Sequence, residues 1–148
     1  MLYLRKAEYS DMQLYFNWAN DPVVRKNAFN SNTISWRGHQ EWYRHRLHDK
    51  NCYMYVIEND GIEIGQVRFD IVNSNAEISY SVDDKFRGKG IGKELLILAI
   101  NELKNECSDI SEINAKVKKQ NIASNKIFMK LGFDAEEKND IYFYRLTI

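Results

Sequence analysis

The 148-residue chain carries 21 Lys plus Arg against 21 Asp plus Glu, so its formal net charge is zero, and 44% of its residues are hydrophobic. That length and apolar share suit a single domain over residues 1–148 with one sizeable core, and exclude a disordered chain. The charge balance argues against duplex nucleic acid as a partner, and the longest apolar run, Leu95 to Ile100, is far too short to span a membrane.

Tyr3 to Arg5 predict a first strand. Asp11 to Asn20 predict a helix, with Met12, Tyr15, Phe16 and Ala19 at helical spacing and Ser10 as candidate N-cap. Asn20-Asp21-Pro22 ends it, because proline restricts the residue before it. A second helix is expected from its cap, Ser35, to about Leu47. Tyr53 to Glu58 alternate as a strand, Asn59-Asp60-Gly61 signals a hairpin turn, Ile62 to Val72 form the next strand, Asn73-Ser74-Asn75 the next turn, and Ala76 to Val82 a further strand. This middle section therefore reads as an antiparallel meander.

After a glycine-rich loop, Ile91, Leu95, Leu98 and Leu103 recur at roughly helical spacing. Glu112 to Val117 predict a strand. Asn121 to Leu131 predict a helix capped by Asn121 and stopped by Gly132, with Phe133 placed to close on Phe128. Ile141 to Thr147 alternate as a last strand, a candidate edge for pairing two copies into a homodimer. The series implies an α/β (α+β) fold with a mixed, mostly antiparallel sheet of six to seven strands, flanked by about four helices.

The N-terminus lacks the apolar stretch of a signal peptide, and Cys52 and Cys107 stand alone, as reduced thiols of a cytoplasmic protein would. His45 and His48 have no carboxylate or cysteine in register, so no metal is expected.

The chemistry concentrates in Asp83-Asp84-Lys85-Phe86-Arg87-Gly88-Lys89-Gly90-Ile91-Gly92-Lys93, between a strand and a helix. A helix start leaves free N–H groups and a partial positive charge, glycines let backbone approach phosphate oxygens, and Arg87 and Lys89 add charge. A phosphate or pyrophosphate site is expected. No P-loop run exists, and a dinucleotide fingerprint would need glycine where Lys93 stands. An ordinary glycine turn stays open on this spacing alone.

The spacing Arg87-x-x-Gly90-x-Gly92 resembles the coenzyme-A loop of the GNAT N-acetyltransferase superfamily. Two further pieces carry the resemblance over roughly the whole chain. The strand Ala76-Glu77-Ile78-Ser79-Tyr80-Ser81-Val82 is similar to the strand preceding that loop. Asn121-x-x-Ser124-x-x-x-Phe128-x-x-x-Gly132-Phe133 is similar to the family's late helix.

The resemblance implies a sheet splayed at its centre and acetyl-CoA as cosubstrate. Arg87, Gly88, Lys89, Gly90, Ile91, Gly92 and Lys93 would hold the pyrophosphate, and Tyr80, Ser81 and Val82 the pantetheine arm. Asn121, Ser124 and Asn125 would approach the cofactor, with Phe128 packing beside it; for Asn121 a plain N-cap is the bland alternative. An attacking amine must first lose a proton, and Glu77 is the candidate base, against a solvated strand glutamate. Amides near Val82 are candidates to hold the oxyanion. The family's usual general acid is a tyrosine where Phe128 stands. Phe128 has no proton to give, leaving Tyr142, Tyr144 and Tyr80 as candidates, or unassisted departure of the thiolate.

The first third is rich in aromatics. The pattern Trp18-x-Asn20-Asp21-Pro22-x-Val24-Arg25, then Ile34-Ser35-Trp36-x-x-His39-x-x-Trp42, resembles the subgroup that acetylates nucleotide-linked amino sugars, as in pseudaminic acid synthesis. Trp18, Asn20, Arg25, Phe29, Trp36 and His39 are the candidate contacts to such a small-molecule amine. For each tryptophan a place in the core is the bland alternative, and for His39 a polar helix residue. A related subgroup acetylates protein N-termini, including ribosomal proteins. A coenzyme-A-binding module without catalysis is the remaining alternative.

Overall fold

The strand pattern seen at Tyr3 extends over Leu2–Lys6 (β1), which pairs antiparallel with Cys52–Asn59 (β2) in a computed structural model describing residues Met1–Ile148. The meander continues through Ile62–Val72 (β3) and Asn75–Val82 (β4). Left-handed Asp60 and Gly61 shape the first hairpin turn, and left-handed Asn73 lies in the second. Glu112–Lys118 (β5) joins β4 in parallel, and Ile141–Thr147 (β7) lies between β5 and Asp134–Lys138 (β6). The result is a seven-stranded mixed sheet in the order β1-β2-β3-β4-β5-β7-β6, flanked by five helices.

The period-2 alternation sorts the two faces. Met54 and Val56 of β2 meet Met12, Tyr15 and Trp18 of Met12–Ala19 (α1) and Tyr43 of Trp36–His48 (α3). Tyr55 and Ile57, with Val67 and Phe69 of β3, face Leu95, Leu96, Ala99 and Leu103 of Ile91–Glu106 (α4). Phe128 of Ile122–Lys130 (α5) completes that second, larger core.

Ser35 caps α3 by accepting the Gly38 N–H at 3.1 Å. Asn121 caps α5 by accepting that of Ser124 at 3.3 Å. The stop at Gly132 is a Schellman closure. Phe133 N–H reaches the Phe128 carbonyl at 3.2 Å, Gly132 N–H that of Met129 at 3.1 Å, and the two phenyl rings meet edge to face at 5.1 Å.

The structure corrects four expectations. Ser10 does not cap α1; it lies in a 3₁₀ turn over Tyr9–Asp11, and Asp11 holds the cap position. Its carboxylate instead accepts the Glu8 N–H at 2.7 Å and a bidentate pair from Arg5. Pro22 does more than end a helix. It opens another, Pro22–Asn27 (α2), whose first free amides, Val23 and Val24, donate to Asp21. Residues 134–138 form a strand despite their charges, because left-handed Asn139 and Asp140 turn the chain back onto β7. β7 is therefore interior, and the charged, exposed β6 is the sheet edge.

Candidate active site

β4 and β5 pair over three residues only, Asn75–Glu77 against Glu112–Asn114. Beyond them Ile78–Val82 pairs with β3 alone and Ala115–Lys118 with β7 alone. This leaves one backbone edge of each strand without a partner. A cavity of about 850 Å³ lies at this divergence, lined by residues 78–82 of β4, residues 115–117 of β5, the start of α4, and α5. Interior backbone polar groups normally find partners, so an open strand edge in a cavity is a place for an extended polar ligand.

The start of α4 forms one end of the cavity. The amides of Arg87, Gly88, Lys89 and Gly90 donate to no protein acceptor, and the helix has no side-chain cap. Gly90 sits in the left-handed region at φ 75°, placing the loop backbone where most residues would be strained. Gly92 is buried, and a Cβ there would lie 2.7 Å from Ile127 Cδ1. Arg87 donates through Nε to the Val82 carbonyl at 3.1 Å and pairs with Asp21 at 2.9 Å, tying the loop to β4 and to the α2 cap. Gly88 and Ile91 also line the cavity; the exposed Lys89 and Lys93 do not, and the Lys89 ammonium lies 5.6 Å over the Phe86 ring.

The α5 wall brings Asn121, Ser124, Ile127 and Phe128 to the lining. Asn125 stays outside it, buried, donating to the carbonyls of Lys118 and Lys119 and accepting the Tyr144 hydroxyl at 2.6 Å. Phe128 is 1% exposed, stacked on Tyr144. Of the tyrosines offered in its place, only Tyr80 lines the cavity. Its hydroxyl donates to Ser124 Oγ at 3.0 Å, and burial raises its pKa, so it is protonated at neutral pH. Tyr142 stacks on Tyr144 away from the lining. Ser81 is buried and lines it, its Oγ accepting from Gln66 Nε2 at 3.1 Å; Gln66 Oε1 is buried without a partner.

The opposite end is built by α3, β3 and β4. His39, Trp42, Gln66, Arg68 and Ser79 line it, with Arg25 and Phe29 from the chain after α1. His39 is 2% exposed, and its Nε2 lies 2.8 Å from the Met12 carbonyl. A carbonyl only accepts, so Nε2 carries the proton and Nδ1, which makes no hydrogen bond, is the free base. Burial lowers this imidazole's pKa, against the Met12 hydrogen bond, and keeps it neutral. Arg25 ties the loop after α2, through the carbonyls of Asn30 and Asn32, to the end of α1, through that of Ala19.

Several sequence candidates lie elsewhere. Trp18 is in the α1–β2 core, with Nε1 donating to Asp83 at 2.9 Å. Asn20 clamps Ile34 through both its backbone groups, and Trp36 packs on Phe16 at 5.0 Å. Neither lines the cavity. Glu77 is exposed, at the last paired position before the divergence, and it too is outside the lining.

The sequence pattern placed Trp42 in the acceptor third, but did not single out Gln66, Arg68 or Ser79 as site residues. A signal existed: Gln66, Arg68 and Asp70 alternate with Val67, Phe69 and Ile71, a polar stripe on a strand flanked by others on both sides. Polar side chains on a covered sheet face require partners or a ligand.

A family model described as an acetyltransferase (GNAT) domain matches residues 1–134. No curated protein matches the chain by sequence. Among solved structures, a spermidine N-acetyltransferase from Vibrio cholerae, in complex with CoA and spermine, superposes with a TM-score of 0.88 at 20% identity, over 99% of this chain and 95% of that one. A putative acetyltransferase from Salmonella typhimurium, with its cofactor acetyl-CoA, gives 0.81 at 23% identity over 99% and 94%. A ribosomal L7/L12 alpha-N-protein acetyltransferase in complex with coenzyme A gives 0.82 at 21% over 99% and 94%. At these identities the likeness is one of fold.

Proposed function

The chain belongs to the GNAT acetyltransferase domain family, and from this premise we propose that it transfers an acetyl group from acetyl-CoA to the primary amine of a nucleotide-linked amino sugar. The observation that carries the donor half is the pairing of an open β4 edge with the unpartnered amides of Arg87–Gly90. Together they suit an extended arm ending in a pyrophosphate. Acetyl-CoA supplies a thioester, an acyl donor open to attack by a neutral amine.

The chain's own groups divide the remaining work. The amides of the Arg87–Lys93 segment hold the pyrophosphate, and Gly92 lets the start of α4 pack directly on Ile127 of α5. The strand edge at Ser81 and Val82 aligns the arm and offers an amide to the carbonyl oxygen as it gains charge. Asn121 and Ser124 border the arm from α5. Tyr80 Oη gives a proton to the departing sulfur, the part Phe128 cannot play. The amine's proton goes to Glu77 through water, since the cavity lining contains no carboxylate. His39 Nδ1 is the competing base, favoured by its place in that lining.

Phe29 and Trp42, with polar Gln66 and Ser79, support a flat, oxygen-rich acceptor. A second reading, acetylation of protein N-termini, rests on the same donor site and differs only in acceptor. A coenzyme-A-binding module without turnover is favoured by Phe128 alone.

The test is a thermal-shift titration with acetyl-CoA followed by an acceptor screen reading thiol release. A ligand bound only by the folded chain raises its melting temperature; no shift at saturation ends the acetyl-CoA reading. Turnover on peptide N-termini with silence on amino-sugar nucleotides selects the second reading. Glu77→Gln and His39→Gln, compared over pH, assign the base to whichever loses its turnover.

A further inference from the structure

The cavity is lined by four cationic side chains, Arg25, Arg68, Arg87 and Lys116, and by no aspartate or glutamate. In a chain with equal numbers of acidic and basic residues, this segregation is local. The four are not equivalent. Arg87 belongs to the α4 end and is paired with Asp21. Arg25 is occupied by the Ala19 carbonyl at the end of α1 and by two loop carbonyls, those of Asn30 and Asn32. Lys116 is exposed on β5.

Arg68 is different. It rises from β3 beside β4, its Nη2 donating to Ser79 Oγ at 3.4 Å, on the face that carries Ser81. Its guanidinium carbon lies 5.0 Å over the Trp42 ring, and its Nε donates to Asp70 Oδ2 at 3.0 Å. Asp70 also binds Arg46, so one carboxylate is shared by two guanidiniums and the pair keeps a net positive charge. Glu77, opposite Asp70 across β3 and β4, is outside the lining. Nη1 has no partner in the protein. The result is a half-buried cation, fixed by an aromatic shelf below and a carboxylate behind, with an unused N–H edge at the acceptor end.

Resting on the acetyl-transfer reading, we propose that the acceptor carries an anionic group, phosphate or carboxylate, beside its reactive amine, and that Arg68 is the specificity-determining residue that binds it. The same lining disfavours a polycationic acceptor, since it offers no carboxylate to an ammonium chain and several cations to repel it.

The experiment compares kcat/KM with acetyl-CoA for five amines: 2-aminoglucose, its 1-phosphate, its uridine-diphosphate conjugate, the matching amino uronic acid, and spermidine. The expected result is a preference of about ten-fold or more for an anionic amine over the neutral sugar, with the phosphate and uronic-acid arms showing which anion is read. Arg68→Met should reduce that preference to within about two- to three-fold, mainly by raising KM for the anionic acceptor. Arg68→Lys, which keeps charge but loses the fork, should fall between. Arg37→Met, an exposed arginine outside the cavity, should retain the preference.

Equal or better turnover of spermidine or the neutral sugar overturns the proposal while leaving the transferase reading intact. So does an Arg68→Met enzyme that loses all acceptors equally, which would mark a structural role. Acetyl-CoA binding without turnover of any amine overturns both. If Arg68→Met shows no acetyl-CoA thermal shift and has not folded, the Arg68→Lys selectivity decides.

Discussion

Tyr80 Oη donates to Ser124 Oγ at 3.0 Å, joining β4 to α5 at the cavity wall where the two central strands have parted. The hydroxyl lies in the lining, while Phe128, 6.0 Å away between ring centres, supplies only packing. Tyr80→Phe removes the proton and keeps the ring. Because a thiol is already a good leaving group, the expected loss is about ten-fold in kcat, below the usual range for general acids. Acetyl-CoA affinity should change little. Unchanged kcat in single-turnover measurements would show that the thiolate leaves unaided.

Gly90 offers a way to separate charge from backbone strain. At φ 75° both Asn and Asp are tolerated better than other side chains, and their shapes match. Gly90→Asn should therefore weaken acetyl-CoA binding modestly. Gly90→Asp, which sets a carboxylate beside the proposed pyrophosphate site, should weaken it by roughly a further ten-fold or more. Calorimetric affinities at two salt concentrations test this: the gap between the variants should narrow as salt rises. Equal affinities would place the phosphates elsewhere.

His39 gives stability a dependence on mild acid. Its folded-state pKa is lowered by burial, so the unfolded chain takes up a proton first as pH falls. The sign follows: its contribution is fully present above about pH 6.5, the unfolded value, and is lost as pH drops toward the folded one. Urea melts from pH 7 to 5 should show falling stability for the native chain and a flatter profile for His39→Gln. The same slope in both would move the effect to another group.

Asp11 should dominate at lower pH. Burial alone would raise its pKa, but the Arg5 guanidinium and the Glu8 amide hold the carboxyl below its usual range. Its stabilisation is thus present above about pH 4 and lost as pH falls through the lowered value. Asp11→Ala at pH 7 should cost about 2 kcal/mol, since it leaves the Glu8 amide and both Arg5 Nη groups without their carboxylate, while Arg5 Nε keeps Glu58 at 2.7 Å. Chemical denaturation at pH 7 and pH 3 should show that cost shrinking with acid.

Much of the fold was legible because its signals are local. The α3 cap at Ser35, the α5 cap at Asn121 and the closure through Gly132 and Phe133 each involve residues a few positions apart. Alternation marked β3 and β7 to the residue, because one face of each meets a core. The elements that were missed lack such signals. α2 is a six-residue helix with no apolar stripe, started by Asp21 and Pro22 and held by Arg25, which reaches carbonyls of α1 and of the following loop. β6 is a run of charges that becomes a strand only by lying against β7.

The sequence by itself marked Arg87 to Gly92 as a candidate anion site, since a glycine loop at a helix start leaves its amides free whatever lies around it. Only the tertiary structure decided what surrounds the cradle. The three-residue β4–β5 pairing opens the cavity, Glu77 falls outside it, and Tyr80 falls inside. Arg68 meets Trp42 of α3 and Ser79 of β4, partners well separated from it along the chain. Which side chains share a cavity depends on strand register and on where two strands part, and neither is written in the spacing of any one segment.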